Sequence, residues 1–175
     1  MNGQVRLLEG GELHQAVIHD GLLSAQQWVW IATADLKDMH VQIDRAFVPI
    51  LEQFDRMAQR GVRFRIVHSA LPSRPFRATL EGFKALTGGG LELQICPRCH
   101  WKLVLVDGRF AYCGSANFTG AGLGAKNIHK RNLELGLVTE DAAWVARLTA
   151  IFDRFWIGAH CQACKLRAAC PDPIS

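Results

Sequence analysis

Polar and apolar positions alternate along this chain in two distinct rhythms. Short β-branched and aromatic runs at residues 28–33 (WVWIAT), 62–67 (VRFRIV), 91–95, 100–106 and 132–138 predict strands. Residues 43–60 instead place Phe47, Ile50, Leu51, Phe54 and Met57 at helical spacing, and residues 74–86 do so with Leu80, Phe83 and Leu86. Gly61 and the glycines at 88–90 supply the stops for those helices. A last helix is expected from near Asp141, capped by Thr139 or Asp141, through Trp144, Leu148, Ile151, Phe152 and Phe155 to Gly158. Strands alternating with helices predict an α/β fold, a mixed β-sheet flanked by helices, with a tight hairpin turning at Asp107 and Gly108. Trp28, Trp30, Trp101, Trp144 and Trp156 lie on apolar patterns and read as core.

Composition narrows this picture without changing it. At 175 residues, 49% hydrophobic and 21% charged, the chain fits one domain able to bury roughly two-thirds of its unfolded surface. We expect one domain over residues 1–158 with a cysteine-rich tail, 159–175, packed on it, because no linker, repeat or low-complexity stretch divides the sequence. No apolar run approaches the ~20 residues that span a bilayer, so membrane insertion is not expected. The first residues lack a basic region followed by an apolar block, which points to a cytoplasmic protein. A net charge of +4 permits a polyanionic substrate but does not by itself predict one.

The candidate chemistry concentrates in residues 100–117, HWKLVLVDGRFAYCGSAN. On an extended strand, His100 and Lys102 share a face because side chains alternate with period two. Asp107 and Gly108 turn the chain, and the return strand delivers Gly114, Ser115 and Asn117 beside His100. Imidazole is a competent nucleophile near neutral pH, and Lys102 and Asn117 suit the non-bridging oxygens of a phosphodiester, with Ser115 as a further donor. That chemistry requires no metal.

H-x-K, an Asp five residues after the Lys, and then G-S-x-N resemble the HKD motif of the phospholipase D superfamily. Residues 120–126 (GAGLGAK) and 131–138 (RNLELGLV) resemble its continuation, while the first half matches only in strand-helix rhythm. The resemblance implies a phospholipase D-like fold and a covalent phosphohistidine formed on His100, with Lys102 and Asn117 holding phosphate and Ser115 supporting them. It also implies that Glu134 orients a catalytic histidine and that Asp107 is a structural or pKa-tuning partner, although a solvated strand carboxylate is the alternative for Glu134. The family mechanism needs two histidines, and His68 and His129 lack the accompanying Lys and Asn. A homodimer with one composite site follows. Small single-motif members of the family include endonucleases, so the expected activity is DNA cleavage. A phospholipase D-type lipid hydrolase and a non-catalytic nucleic-acid-binding or redox-sensing module are the alternatives. Lys126, Lys130 and Arg131, after a glycine-rich stretch, are candidates for holding the nucleic-acid backbone.

Six cysteines remain. Cys161, Cys164 and Cys170, spaced C-x2-C-x5-C, resemble the C-terminal cysteines that hold an iron-sulfur cluster in some nucleases of an unrelated fold. Cys96 is the expected fourth ligand, Cys99 adjoins the catalytic strand, and Cys113 is expected to be a small core residue. A tetrathiolate zinc site is the competing reading, particularly one built from Cys96, Cys99, Cys161 and Cys164. Either would be structural, and His160 reads as a solvated helix-end residue.

Overall fold

The computed structural model describes residues 4–124 and 126–174, Ile128 by its backbone alone. Nine strands and three α-helices follow in chain order: β1 (Val5–Glu9), β2 (Trp28–Thr33), β3 (His40–Ile43), β4 (Ala46–Pro49), α1 (Ile50–Gln59), β5 (Arg63–His68), α2 (Arg74–Glu81), β6 (Leu91–Ile95), β7 (Leu103–Val106), β8 (Phe110–Gly114), β9 (Leu135–Thr139) and α3 (Ala142–Trp156). Seven of the strands form one sheet in the order β1-β9-β8-β7-β2-β5-β6. β2, β5 and β6 run parallel, and the remaining pairings are antiparallel, so the sheet is mixed as expected. Among the described residues, no helix is long and apolar enough to cross a membrane.

Strand alternation sorts side chains onto two cores. On one face Val29, Ile31, Phe64, Ile66, Val104, Val106 and Tyr112 join Phe54 of α1 and Phe76 of α2. On the other, Ala32, Val67, Leu103, Leu105 and Ala111 meet Val145 and Phe152 of α3. Phe152 stacks on Trp30 at 5.2 Å between centroids. Asp141 caps α3 by accepting the N–H groups of Ala143 and Trp144 at 3.0 and 3.1 Å, as its sequence suggested.

Several expected boundaries move. Residues 43–49 are not helical: Asp44 adopts φ 54° in the turn of the β3–β4 hairpin, and α1 starts only after Pro49. Proline disfavours the helical region for the residue before it, which stops the periodic pattern from extending backwards. The helix expected over 74–86 ends at Glu81, and the Asp55 carboxylate accepts the N–H groups of Ala85 and Leu86 at 2.9 and 3.2 Å, starting a separate turn. β7 begins at Leu103 and β9 at Leu135, so residues 100–102 and 132–134 lie in loops. β1 and the helical segment His14–Gly21 were not expected. β1 buries only Leu8 and has no clear alternation.

Candidate active site

The β7–β8 hairpin has two polar ends. At the open end, His100 and Lys102 precede β7 while Ser115 and Asn117 follow β8. Gly114 N–H donates to Lys102 O at 3.1 Å and Ser115 N–H to Leu135 O at 2.9 Å, holding the returning loop between its neighbours. A Cβ on Gly114 would lie 2.5 Å from Leu135 O and 2.6 Å from Tyr112 Oη, so this approach requires glycine. The ladder thus carries the groups that the motif spaces along the sequence to one end of the central strands.

His100 is exposed and Lys102 half-buried. The Lys102 ammonium donates to His100 Nδ1 at 3.2 Å and to His100 O at 2.9 Å, so the two stay together although neither is in a strand. Asn117 Oδ1 accepts from Thr33 Oγ1 at 3.3 Å and from the N–H groups of Ala34 and Asp35, both at 3.2 Å. These bonds fix the carboxamide at the end of β2 and leave its NH2 as the donor for an anion. Thr33, buried and also accepting the Phe118 N–H at 2.9 Å, is the positioning residue that sequence reasoning missed. Its only signal was a hydroxyl ending an otherwise apolar strand.

Ser115 Oγ donates to the Glu134 carboxylate and accepts the Leu135 N–H at 3.1 Å, and Asn132 Nδ2 donates to Glu134 Oε1 at 3.1 Å. Glu134 therefore belongs to the cluster but through Ser115 and Asn132. Among the described residues its hydrogen-bond partners are these two and not His100.

Asp107 lies at the opposite end of the hairpin, with φ 50° in the turn. Its carboxylate accepts the N–H groups of Gln26, Gln27 and Trp28 at 2.7, 3.0 and 2.7 Å, tying β7 to the start of β2. Of the two roles expected for Asp107, its bonds are those of the structural partner. A whole strand, β7, separates it from His100.

The glycine-rich stretch after Asn117 is a packed turn. Leu123 and Gly124 donate to Thr119 O at 3.0 and 3.1 Å, Leu123 is buried, and a Cβ on Gly122 would collide with the Asn117 carbonyl. His14 Nδ1 donates to Leu123 O at 2.7 Å, and burial pulls the pKa of His14 down. Lys126 and Lys130 are exposed, whereas Arg131 is half-buried and donates through Nε to Lys126 O at 2.6 Å. Arg131 thus closes this loop through Nε, while its buried Nη1 makes no hydrogen bond to the described residues.

Cys96, Cys161, Cys164 and Cys170 line one cavity of about 250 Å³, together with His160 and Arg98. Cys99 instead packs beneath α3 with its thiol 4.0 Å from Val67 O, and burial pushes its pKa up to about 11. Cys113 is exposed, correcting the expectation of a core residue: it shares the α3-side face of the sheet beyond the reach of that helix.

A mixed seven-stranded sheet flanked by helices, with a polar loop cluster at one end of its strands, defines the chain as an α/β protein, and comparison with known proteins makes that specific. Residues 18–156 match the family model described as cardiolipin synthase, PLD-like domain. The chain belongs to the phospholipase D-like family. Among solved structures it is similar to NucT from Helicobacter pylori, at 15% identity and TM-score 0.60 over 87% of this chain and 95% of that one. It is also similar to Nuc from Salmonella typhimurium, a phospholipase D family member, at 17% identity and TM-score 0.62 over 89% and 95%. The archaeal chromatin protein TrmBL2, whose structure shows a mode of DNA binding, matches at 17% identity and TM-score 0.57 over 87% of this chain and 52% of its own. At these identities the likeness is one of fold. No curated protein matches significantly.

Proposed function

We propose that the chain is a phosphodiesterase that cleaves DNA through a phosphohistidine on His100, in a site completed by a second copy of itself. The observation that carries the reading is the convergence of His100, Lys102, Ser115 and Asn117 at one end of the hairpin, with Asn117 clamped by three hydrogen bonds. A preorganised donor and an ammonium beside an exposed imidazole suit the charge that develops on a phosphoryl group in flight.

Attack by His100 Nε2 forms an N–P bond as the P–O bond to the leaving alcohol breaks. The proton for the leaving oxygen comes from the imidazolium of His100 of the partner subunit. That imidazole then takes a proton from water, whose oxygen attacks phosphorus and breaks the N–P bond, returning free His100 and a phosphomonoester.

The α3-side face of β1 and β9 supports the second copy. Leu7 pairs with Leu137, Leu137 with Cys113, and Leu135 lies one step further along, all exposed beside Ser115 and Glu134. An unpartnered apolar sheet face adjoining an incomplete site fits a two-fold interface between copies of this chain. The exposed Lys126 and Lys130, together with the DNA binding described for TrmBL2, favour DNA as the substrate.

The test is a plasmid and linear DNA cleavage assay in excess chelator, run on the purified protein across its dimer transition. Chelator-resistant cleavage that tracks the dimer supports the proposal. Hydrolysis of phosphatidylcholine vesicles without DNA cleavage would move the substrate to lipid, and DNA binding without turnover would make the chain a binding module.

A further inference from the structure

The tail after α3 folds back against the turn that leads into His100. Successive tight turns link Gly158 O to Cys161 N, Cys161 O to Cys164 N, Cys164 O to Arg167 N and Arg167 O to Cys170 N, at 2.8, 3.1, 3.0 and 3.2 Å. Asp172 Oδ2 then accepts the Ile95 N–H at 3.1 Å, bringing the tail to the end of β6. On the facing side, Cys96 N–H bonds His68 O and Cys99 N–H bonds Cys96 O, both at 2.8 Å, so Cys96 opens a tight turn four residues before His100. Four thiols from the two segments thereby line one cavity.

We propose that Cys96, Cys161, Cys164 and Cys170 ligate an iron-sulfur cluster that pins the tail to the turn carrying His100. The cavity, about 250 Å³, has room for more than a single ion. A single tetrahedral zinc, with Zn–S bonds of ~2.3 Å, draws its four sulfurs to within ~3.8 Å of one another. Among the described residues no group of three or more His, Cys, Asp or Glu side chains is already drawn together around a single-ion site, so the metal content of the protein decides between the two. A cluster interposes several iron and sulfide atoms between its thiolates and so takes ligands set around a larger space.

The surrounding charge agrees. Arg98 Nη1 donates to Cys164 Sγ at 3.6 Å, and Arg167 shares the lining, so cations stand where a tetrathiolate cluster leaves net negative charge. Cys99 points into the core rather than the cavity, which sets aside a ligand set made of the two C-x2-C pairs.

The experiment is anaerobic purification of the full chain, with iron, acid-labile sulfide and zinc quantified in the wild type, Cys164→Ser and Cys113→Ser. The inference expects iron and sulfide in matching amounts of about two to four per chain. It also expects a visible absorbance that dithionite bleaches. Cys113→Ser should retain both, and Cys164→Ser should lose more than half of the iron and sulfide. About one zinc per wild-type chain without sulfide would overturn the cluster, as would wild-type protein that takes up neither iron nor sulfide on anaerobic reconstitution. Full iron and sulfide in Cys164→Ser would overturn the ligand assignment, whereas wild-type content is read independently of how that variant folds.

Discussion

At one end of the β7–β8 hairpin the Asp107 carboxylate receives three backbone N–H groups, and at the other end the His100 ring is exposed and the Asn117 NH2 has no backbone partner among the described residues, with the Lys102 ammonium on His100 between them. Both ends are rich in polar residues and both belong to the same motif. The difference lies in where the hydrogen-bonding capacity goes. A carboxylate whose acceptors are filled by its own backbone holds the fold, while an amide whose oxygen is clamped and whose NH2 is left over can serve a ligand.

Substitutions at the two ends should therefore separate activity from stability. The largest effect is expected for His100→Ala, a loss of at least ~10⁴-fold in kcat with little change in Tm, since the imidazole is exposed and its one hydrogen-bond partner among the described residues is the Lys102 ammonium. Single-turnover kinetics beside a thermal melt checks both halves. Lys102→Ala should lower kcat by ~10² to 10³-fold, the range for removing one donor from a developing anion. Asn117→Ala should combine a similar loss with lower stability, because its oxygen also serves Thr33, Ala34 and Asp35. At the opposite end, Asp107→Ala is expected to reverse the pattern: about 2 kcal/mol less stability in urea melts with the kcat of the folded fraction unchanged. A large kcat defect in folded Asp107→Ala would break the comparison.

The smallest effect concerns pH. Burial lowers the pKa of both His68 and His14, so below the ordinary value of about 6.5 the unfolded chain binds more protons than the folded one. Stability from these groups is full above that pH and declines as pH falls through it towards the lowered folded values. Melts between pH 7.5 and 5 should show Tm falling with acid, and His68→Gln should shallow the slope without abolishing it, because His14 remains.

What could be read from the sequence follows from how local each signal was. The hairpin at Asp107 and the helix capped by Asp141 rest on short-range spacing, and they appear where expected; His100 and Lys102 keep together as their spacing suggested, but in the loop before β7 and not on the strand. The role of Thr33 depends on parallel and antiparallel neighbours meeting at one sheet end across 84 residues, which no window of sequence contains. Glu134 and Asp107 show the same limit from the other side. Their residue type was legible, but whether their oxygens were free depended on Ser115, Asn132 and the start of β2. The β3–β4 hairpin hid inside a helical period because Phe47 falls in register with Ile50 and Phe54 while being exposed.

The central claim is the covalent bond to His100, and the most direct test is rapid quenching of the enzyme with a phosphodiester labelled at phosphorus, followed by peptide mapping. The account predicts a label that survives base, is lost in acid, maps to the peptide containing His100 and is absent from His100→Ala. Turnover by the wild type with no labelled protein, or a label that persists in His100→Ala, would contradict it.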